Sequence, residues 1–311
     1  MSDDFRPHPA LRVPTPLGGS QSGSWDDVHV TEEGIPLLLT ESERYRERVG
    51  TDETEPLDRL SFHALAHLSR YLPQLLAPSS PMRRAIRRAL ADFLETHADL
   101  TIELGCSIGP DLRTFAEFSR AVIGVDLSLA AIRAARAQLE GEPVPLLERI
   151  EGRSFKSAHP IQLPPVDNVF VAVANALDPP FFAAVADVVA SINVLDSVRD
   201  PLTLIGQMDA ILKPGGLLIL ASPFCWADDF TPPEHALGGG LDETWVGHGS
   251  AEGLVELLSG RLPDLPWLRY DVLRAEDIPW SLRDHARSVT SYDVHLLVAR
   301  KRGDKGAPEL N

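Results

Sequence analysis

The stretch TIELGCSIG, residues 101–109, runs from apolar residues into a Gly-x-x-x-Gly turn, and an amphipathic segment follows it. That order predicts strand, tight turn and helix. Such a turn presents free backbone N–H groups and the positive end of a helix dipole to a nucleotide. Glu103 stands just before the turn, and Gly105, Cys106, Ser107 and Gly109 form it. About twenty residues on, AVIGVDLS ends a second apolar run in Asp126, with Leu127 beside it. An acidic side chain at that strand end can accept from both hydroxyls of a ribose. Dinucleotide enzymes share this logic but carry a fuller glycine pattern.

A second set of residues lies further along. Asn193 and Asp196 follow the apolar run ADVVASI, so an amide and a carboxylate are expected where a strand end faces a ligand. Phe224, Trp226 and Phe230 follow the run LLILAS and are expected to wall off water. His235 and His248 sit in the same stretch and are read as solvated, with a proton shuttle as the alternative. Tyr292 and His295 fall on the last predicted strand and are read as packing residues. Cys106 is expected to be a small filler with its backbone near the ligand, not a redox centre.

Positioning these groups requires alternating elements. Strands are expected at 100–104, 121–126, 168–174, 187–193, 216–222 and 291–299, with helices at 110–119, 128–139, 179–185 and 201–212. This alternation implies a parallel sheet covered on both faces, with ligands beyond the C-terminal strand ends. Asp200–Pro201 reads as a helix cap with a first-turn proline, and Lys213–Gly216 as a turn. Before the first of these strands lie two helices, over 57–76 and from Pro81 to about His97. A small hairpin is expected at 25–41, within an irregular lead-in covering 1–56. The stretch 223–290 is read as a long irregular insert, and 303–311 as a disordered tail.

Composition narrows the class. The net charge of −16 argues against a broad phosphate-binding surface, so no nucleic-acid partner is expected. Two cysteines make neither a disulfide framework nor a zinc ribbon. No apolar run is long enough to span a membrane and no secretory signal is visible, so a cytoplasmic protein is expected. Oligomeric state is not readable.

With these residues in place, the chain resembles class I S-adenosylmethionine-dependent methyltransferases over about 57–299. The resemblance rests on the E-L-G-C-x-x-G loop, on VFVAVANALDPPF, and on ADVVASINVLDSVRDPLTLIGQMDAILKPGGLLILASP. Ser107 stands where that family commonly has Gly. The resemblance implies a Rossmann-like sheet with helices on both faces, here with an N-terminal hairpin and helical extension. It further implies S-adenosylmethionine as cofactor, held by Glu103, Gly105, Cys106, Ser107, Gly109, Asp126, Leu127, Asn175, Ala176 and Asn193, with Asn175 and Ala176 beside the adenine.

Locally, ASINVLDSVRDP and ASPFCWADDFTPPEHALGGG are similar to the mercaptohistidine N-methyltransferase group of ovothiol biosynthesis. That likeness implies a small-molecule acceptor, an imidazole nitrogen of histidine or a thiohistidine-like derivative, with Asn193, Asp196 and Trp226 as catalytic residues and no metal. Methylation of a peptide or other natural product, and a non-catalytic cofactor-binding protein, stay open. The lead EEGIPLLL resembles a zinc-ribbon-like segment found before some methyltransferases, but without cysteines no zinc is expected there.

Overall fold

The computed structural model describes residues 7–13, 24–25, 28–39, 62–77, 79–238, 249–262 and 268–303. The stretches 42–56 and 304–311, the start of the first predicted helix, and His248 lie outside the described residues. Its frame is a nine-stranded sheet in the spatial order β1-β2-β7-β4-β3-β8-β9-β11-β10. The strands are β1 (His29–Val30), β2 (Pro36–Leu38), β3 (Ala98–Leu104), β4 (Ser119–Asp126), β7 (Val169–Ala174), β8 (Ala186–Ile192), β9 (Leu212–Ser222), β10 (Tyr270–His285) and β11 (Ser288–Lys301). All pairs from β2 to β9 are parallel, while β9–β11, β11–β10 and β1–β2 are antiparallel. This is the doubly wound sheet the family likeness implied.

Both faces are buried, which is why the central strands read as continuous apolar runs rather than alternations. On one face, α5 (Pro201–Ile211) and α6 (Ser250–Leu258) pack on Ile102, Leu104, Val125 and Val189. On the other, α2 (Pro81–Phe93) and α4 (Leu129–Glu140) pack on Val122, Val171, Val188 and Ile219. Helix ends follow local chemistry. The Ser80, Ser128 and Asp200 side chains accept from Arg83, Ala131 and Thr203 N–H groups, and α4 stops at Gly141 with φ +82°.

Two expectations need correction, and one element was unforeseen. Residues 179–185 are not a helix. Two prolines and a left-handed Ala184 (φ +50°) break it, and Phe181 instead bridges Leu11 of the lead-in. The stretch read as irregular contains α6 and the 16-residue β10. Charged residues and Pro279 mask β10 in the sequence, and both suit an edge strand. A second small sheet, β5 (Leu147–Glu151) with β6 (Ser154–Ser157), had no sequence reading at all. The helix over 57–76 is described as α1 (Phe62–Tyr71), which tightens into a 3-10 turn at Leu72–Leu76 around Pro73.

The hairpin β1–β2 does more than lead in. It adds β2 in parallel to β7, with Leu37 opposite Val173 and Leu38 opposite Ala174. Ile35, Leu37 and Leu38 are buried, and Glu33 reaches Arg133 of α4 at 3.0 Å. Each such apolar side chain contributes about 1.5–3 kcal/mol on burial, against a total stability of roughly 5–15 kcal/mol. Deleting residues 1–41 is therefore expected to lower the melting temperature and the soluble yield sharply. A truncated protein that stays soluble and active would show that the hairpin contributes no support.

Candidate active site

Beyond the C-terminal ends of β3, β4, β7, β8 and β9 lies a cleft of about 550 Å³, within the usual range for small-molecule sites. The chain leaves β3 for β4 on one side and enters β8 on the other, so the cleft sits at the point where strand order reverses.

Gly105 (φ +79°) follows β3. A Cβ there would collide with Val194 Cγ2, so the backbone closes onto the β8 loop only because it is glycine. Ser107 has φ +49°, a left-handed position, which gives a physical reason for a glycine being common there. Asp126, at the end of β4, ties the loop down: its Oδ2 accepts from Ser107 N at 2.8 Å and its Oδ1 from Ser128 N at 2.9 Å. Asn175 forms a turn by accepting from Leu177 N at 3.0 Å. Gly105, Cys106, Ser107, Asp126, Leu127, Asn175 and Ala176 all line the cleft. Gly109 does not. Its φ of +71° shapes the turn, and a Cβ would lie 2.8 Å from Leu112 Cδ1, so its place is in packing the loop onto α3 (Leu112–Ala116).

Glu103 is buried on the α2 face of β3, and its Oε2 has no hydrogen-bond partner among the described residues. Burial pushes its carboxyl well above the ordinary range; Asp111 and Asp126 push the same way and Arg83 opposes them. Arg83 is itself buried. It holds Asp111 at 3.2 Å and donates to the Gln74 and Ala77 carbonyls, fastening the turn after α1 to the loop after β3. Cys106 is buried too, and burial raises its thiol well above the usual value, which leaves it an inert filler.

Asn193 and Asp196, from the loop after β8, line the same cleft. Asn193 takes φ +59°, which asparagine tolerates, and its Oδ1 is buried with no partner among the described residues. Asp196 accepts from Cys225 N at 2.7 Å through Oδ2, bridging the loops after β8 and β9, while its Oδ1 is likewise buried with no partner among the described residues.

The expected aromatic wall is only partly here. Phe230 lines the cleft, but Trp226 and Phe224 do not. Phe224 (φ +52°) and Trp226 (φ +42°) take left-handed backbone, and Pro223, Cys225 and Ala227 face the cleft instead. Trp226 stacks on Phe224 at 5.9 Å and donates from Nε1 to Ser250 Oγ at 2.9 Å, anchoring α6. The Trp226 side chain, expected at the site, thus lies outside the cleft lining in this structure. Of the histidines, His235 is exposed with Nδ1 2.8 Å from the Arg199 carbonyl, and His295 bonds Asp277 at 2.8 Å outside the cleft.

Sequence reading passed over several lining residues. From α1 come His67, Arg70 and Tyr71; from the β10–β11 ribbon come Trp280, Leu282 and Tyr292. Tyr292, read as packing, thus faces the cleft. His67 reaches Ser107 Oγ at 3.4 Å, and its crowded surroundings lower its pKa against the opposing pull of Asp126. Among the described residues, no cluster of three or more His, Cys, Asp or Glu could hold a metal, and no helix is long and apolar enough to cross a membrane.

The chain is similar to solved structures of an S-adenosylmethionine-dependent methyltransferase from Methanosarcina mazei (18% identity, 68% of this chain and 96% of that one, TM-score 0.45). It is also similar to the N-methyltransferase NodS from Bradyrhizobium japonicum WM9 (16%, 73% and 99%, TM-score 0.44). A third is a methyltransferase from Aquifex aeolicus (13%, 78% and 99%, TM-score 0.43). No curated protein matches the chain. A family model described as a methyltransferase domain matches residues 78–270. A match over well more than half of the chain makes it a member of the methyltransferase domain family, and its cofactor is S-adenosylmethionine.

Proposed function

We propose that this enzyme transfers the methyl group to a ring nitrogen of a small imidazole-bearing acceptor, histidine or a close derivative. The observation that carries the reading is the pair of buried oxygens on Asn193 and Asp196 that lack a partner among the described residues, in the cleft that Gly105 and Asp126 also line. Buried polar atoms are nearly always satisfied, so the two point to hydrogen-bond donors on a ligand. A neutral imidazole offers one N–H to donate and one nitrogen free to attack.

The cleft fits the cofactor. The left-handed backbone at Gly105 and Ser107 opens space that a regular strand end would fill, and Glu103 Oε2 is an acceptor awaiting a donor. When bound, S-adenosylmethionine supplies an electrophilic methyl on its sulfonium. In this reading Asp126 takes the ribose hydroxyls with the lone pairs its two backbone bonds leave free, Leu127, Asn175 and Ala176 flank the adenine, and Cys106 and Ser107 border the sulfonium arm. Glu103 takes the ammonium group. Asn193 borders both cofactor and acceptor, and Asp196 holds the acceptor N–H so that the other nitrogen faces the methyl. Positioning in a cleft shielded from water supplies most of the rate in such displacements.

The test is mass spectrometry of reactions with S-adenosylmethionine and a panel of histidine derivatives. A mass gain of one methyl on an imidazole compound is expected. Asp196→Asn is expected to lower turnover at least tenfold while S-adenosylhomocysteine affinity stays within about threefold, because positioning is lost and the donor site is not. Methyl transfer only to acceptors without an imidazole would refute the acceptor assignment.

A further inference from the structure

Three aromatic side chains from separate elements line the cleft. The β10–β11 register sets Trp280 directly opposite Tyr292, with ring centroids 5.4 Å apart and planes 34° apart. Tyr71 continues the row from α1, 6.4 Å from Trp280 at 40°. Tyr71 is backed by His67, stacked on it at 4.5 Å. All four line the cleft. Burial raises the pKa of the Tyr71 hydroxyl, and Tyr292, Asp126 and Asp196 push the same way while Arg70 opposes. Asp196 lines the same cleft, 4% exposed, with one oxygen unpartnered and no ion pair among the described residues. Arg70 is not its counter-ion, since Arg70 is held by Asp284 at 2.9 Å.

We propose that Tyr71, Trp280 and Tyr292 form the seat of the acceptor and, with Asp196, select a planar N–H-bearing ring: the ring lies against the aromatic row and donates its N–H to Asp196 Oδ1. This rests on the reading of the cleft as a methyl-transfer site and names what sets its specificity. The shape of the wall chooses the ligand class. An ammonium group is held best when aromatic faces surround it on several sides. Here successive rings tilt by only 34° and 40° with centroids 5.4 and 6.4 Å apart, so neighbouring rings leave no gap between them for an ammonium to enter. A wall offers a face to stack on, and offset aromatic stacking adds to the area buried. The carboxylate then discriminates among rings, because a ring without an N–H leaves Asp196 buried and unpaired.

The experiment is calorimetry on protein saturated with S-adenosylhomocysteine, using histidine, imidazole and indole as ring probes and lysine and tetramethylammonium as non-ring probes. At least one N–H ring is expected to bind more tightly than either ammonium probe. Tyr292→Leu, Tyr71→Leu and Asp196→Asn are each expected to weaken that ring tenfold or more while leaving S-adenosylhomocysteine affinity within threefold. Trp280→Phe is expected to keep most of the affinity and to abolish the quenching of tryptophan fluorescence by the ring. Three variants on three elements keep the test open if one fails to fold. Tighter binding of an ammonium probe, unchanged ring affinity in the folded wall variants, or no binding of any ring at millimolar concentration would each overturn the proposal. The two readings fail separately. Wall-dependent binding of indole with no methyl transfer to imidazole compounds sinks the imidazole acceptor and keeps the seat. Methylated histidine whose affinity ignores the wall does the reverse.

Discussion

Asp126→Ala is expected to weaken S-adenosylhomocysteine binding by two orders of magnitude or more. Two charge-assisted bonds to ribose hydroxyls are worth roughly 1.5–3 kcal/mol each, and every 1.4 kcal/mol is about tenfold in affinity. The substitution also frees the Ser107 and Ser128 N–H groups, which the carboxylate now holds at 2.8 and 2.9 Å. The loop after β3 would lose its left-handed set at Ser107 even before ligand arrives. Asp126→Asn separates the two contributions: the amide oxygen can keep one backbone bond but cannot accept at both positions. Calorimetry giving wild-type affinity for Asp126→Ala, with an unchanged thermal melt, would remove Asp126 from the cofactor site.

Glu103→Gln is expected to move stability and affinity in opposite directions. The native carboxyl has its pKa raised well above the ordinary value, chiefly by burial. Between its unfolded and folded pKa values, the native state therefore keeps a proton that the unfolded state has released. Stability of the ligand-free protein falls as pH rises through that window and levels off above it. Glutamine removes the ionisation, so the ligand-free variant should melt higher than wild type at neutral pH and lose this part of the pH slope. A gain of about 1 kcal/mol corresponds to about 2–4 °C for a chain of this order. Cofactor binding should suffer, because a cationic ammonium beside a carboxylate supplies the counter-charge that α2 delivers only through Arg83, already engaged by Asp111. A loss of tenfold or more in S-adenosylhomocysteine affinity is expected. The wild-type protein should bind more tightly as pH rises and Glu103 ionises, and the variant should not. A variant that melts lower and binds as well as wild type would show that Glu103 is structural.

What was legible divides along physical lines. The Glu103–Ser107 loop, Asp126, Asn175, Asn193 and Asp196 are local features. Each is a polar or glycine residue at the end of an apolar run, and a parallel strand's end is fixed by its own sequence. Gly109 was legible as a turn glycine, but whether a turn glycine faces a ligand or a helix depends on Leu112 and Gln138, which approach it from outside the loop. Trp226 was placed by resemblance; where its side chain points depends on left-handed backbone at 224 and 226, and nothing in PFCWA announces it. The aromatic row was invisible for a different reason. Tyr71, Trp280 and Tyr292 meet only through a cross-strand register and a helix docked on it, and the charge-rich β10 hid the strand that sets the register.

The pairing of β2 with β7 also orders events in time. Leu38 meets Ala174 across more than 130 residues of intervening chain, while the ribosome delivers roughly 5–20 residues per second. The first hairpin synthesised is thus placed only after three later strands are made. It waits on the order of ten seconds, by that rate, for β3, β4 and β7 to exist and lie side by side. During that interval the outer side of β7, once formed, is an unpaired parallel edge, the kind of surface on which nascent chains misassociate. Its eventual cover is tethered to the same molecule, so closure is unimolecular and its loop entropy grows only with the logarithm of the separation. The hairpin therefore acts as a timed seal: it leaves the sheet free to assemble from the middle outward and then closes the side that the alternating core elements never cover.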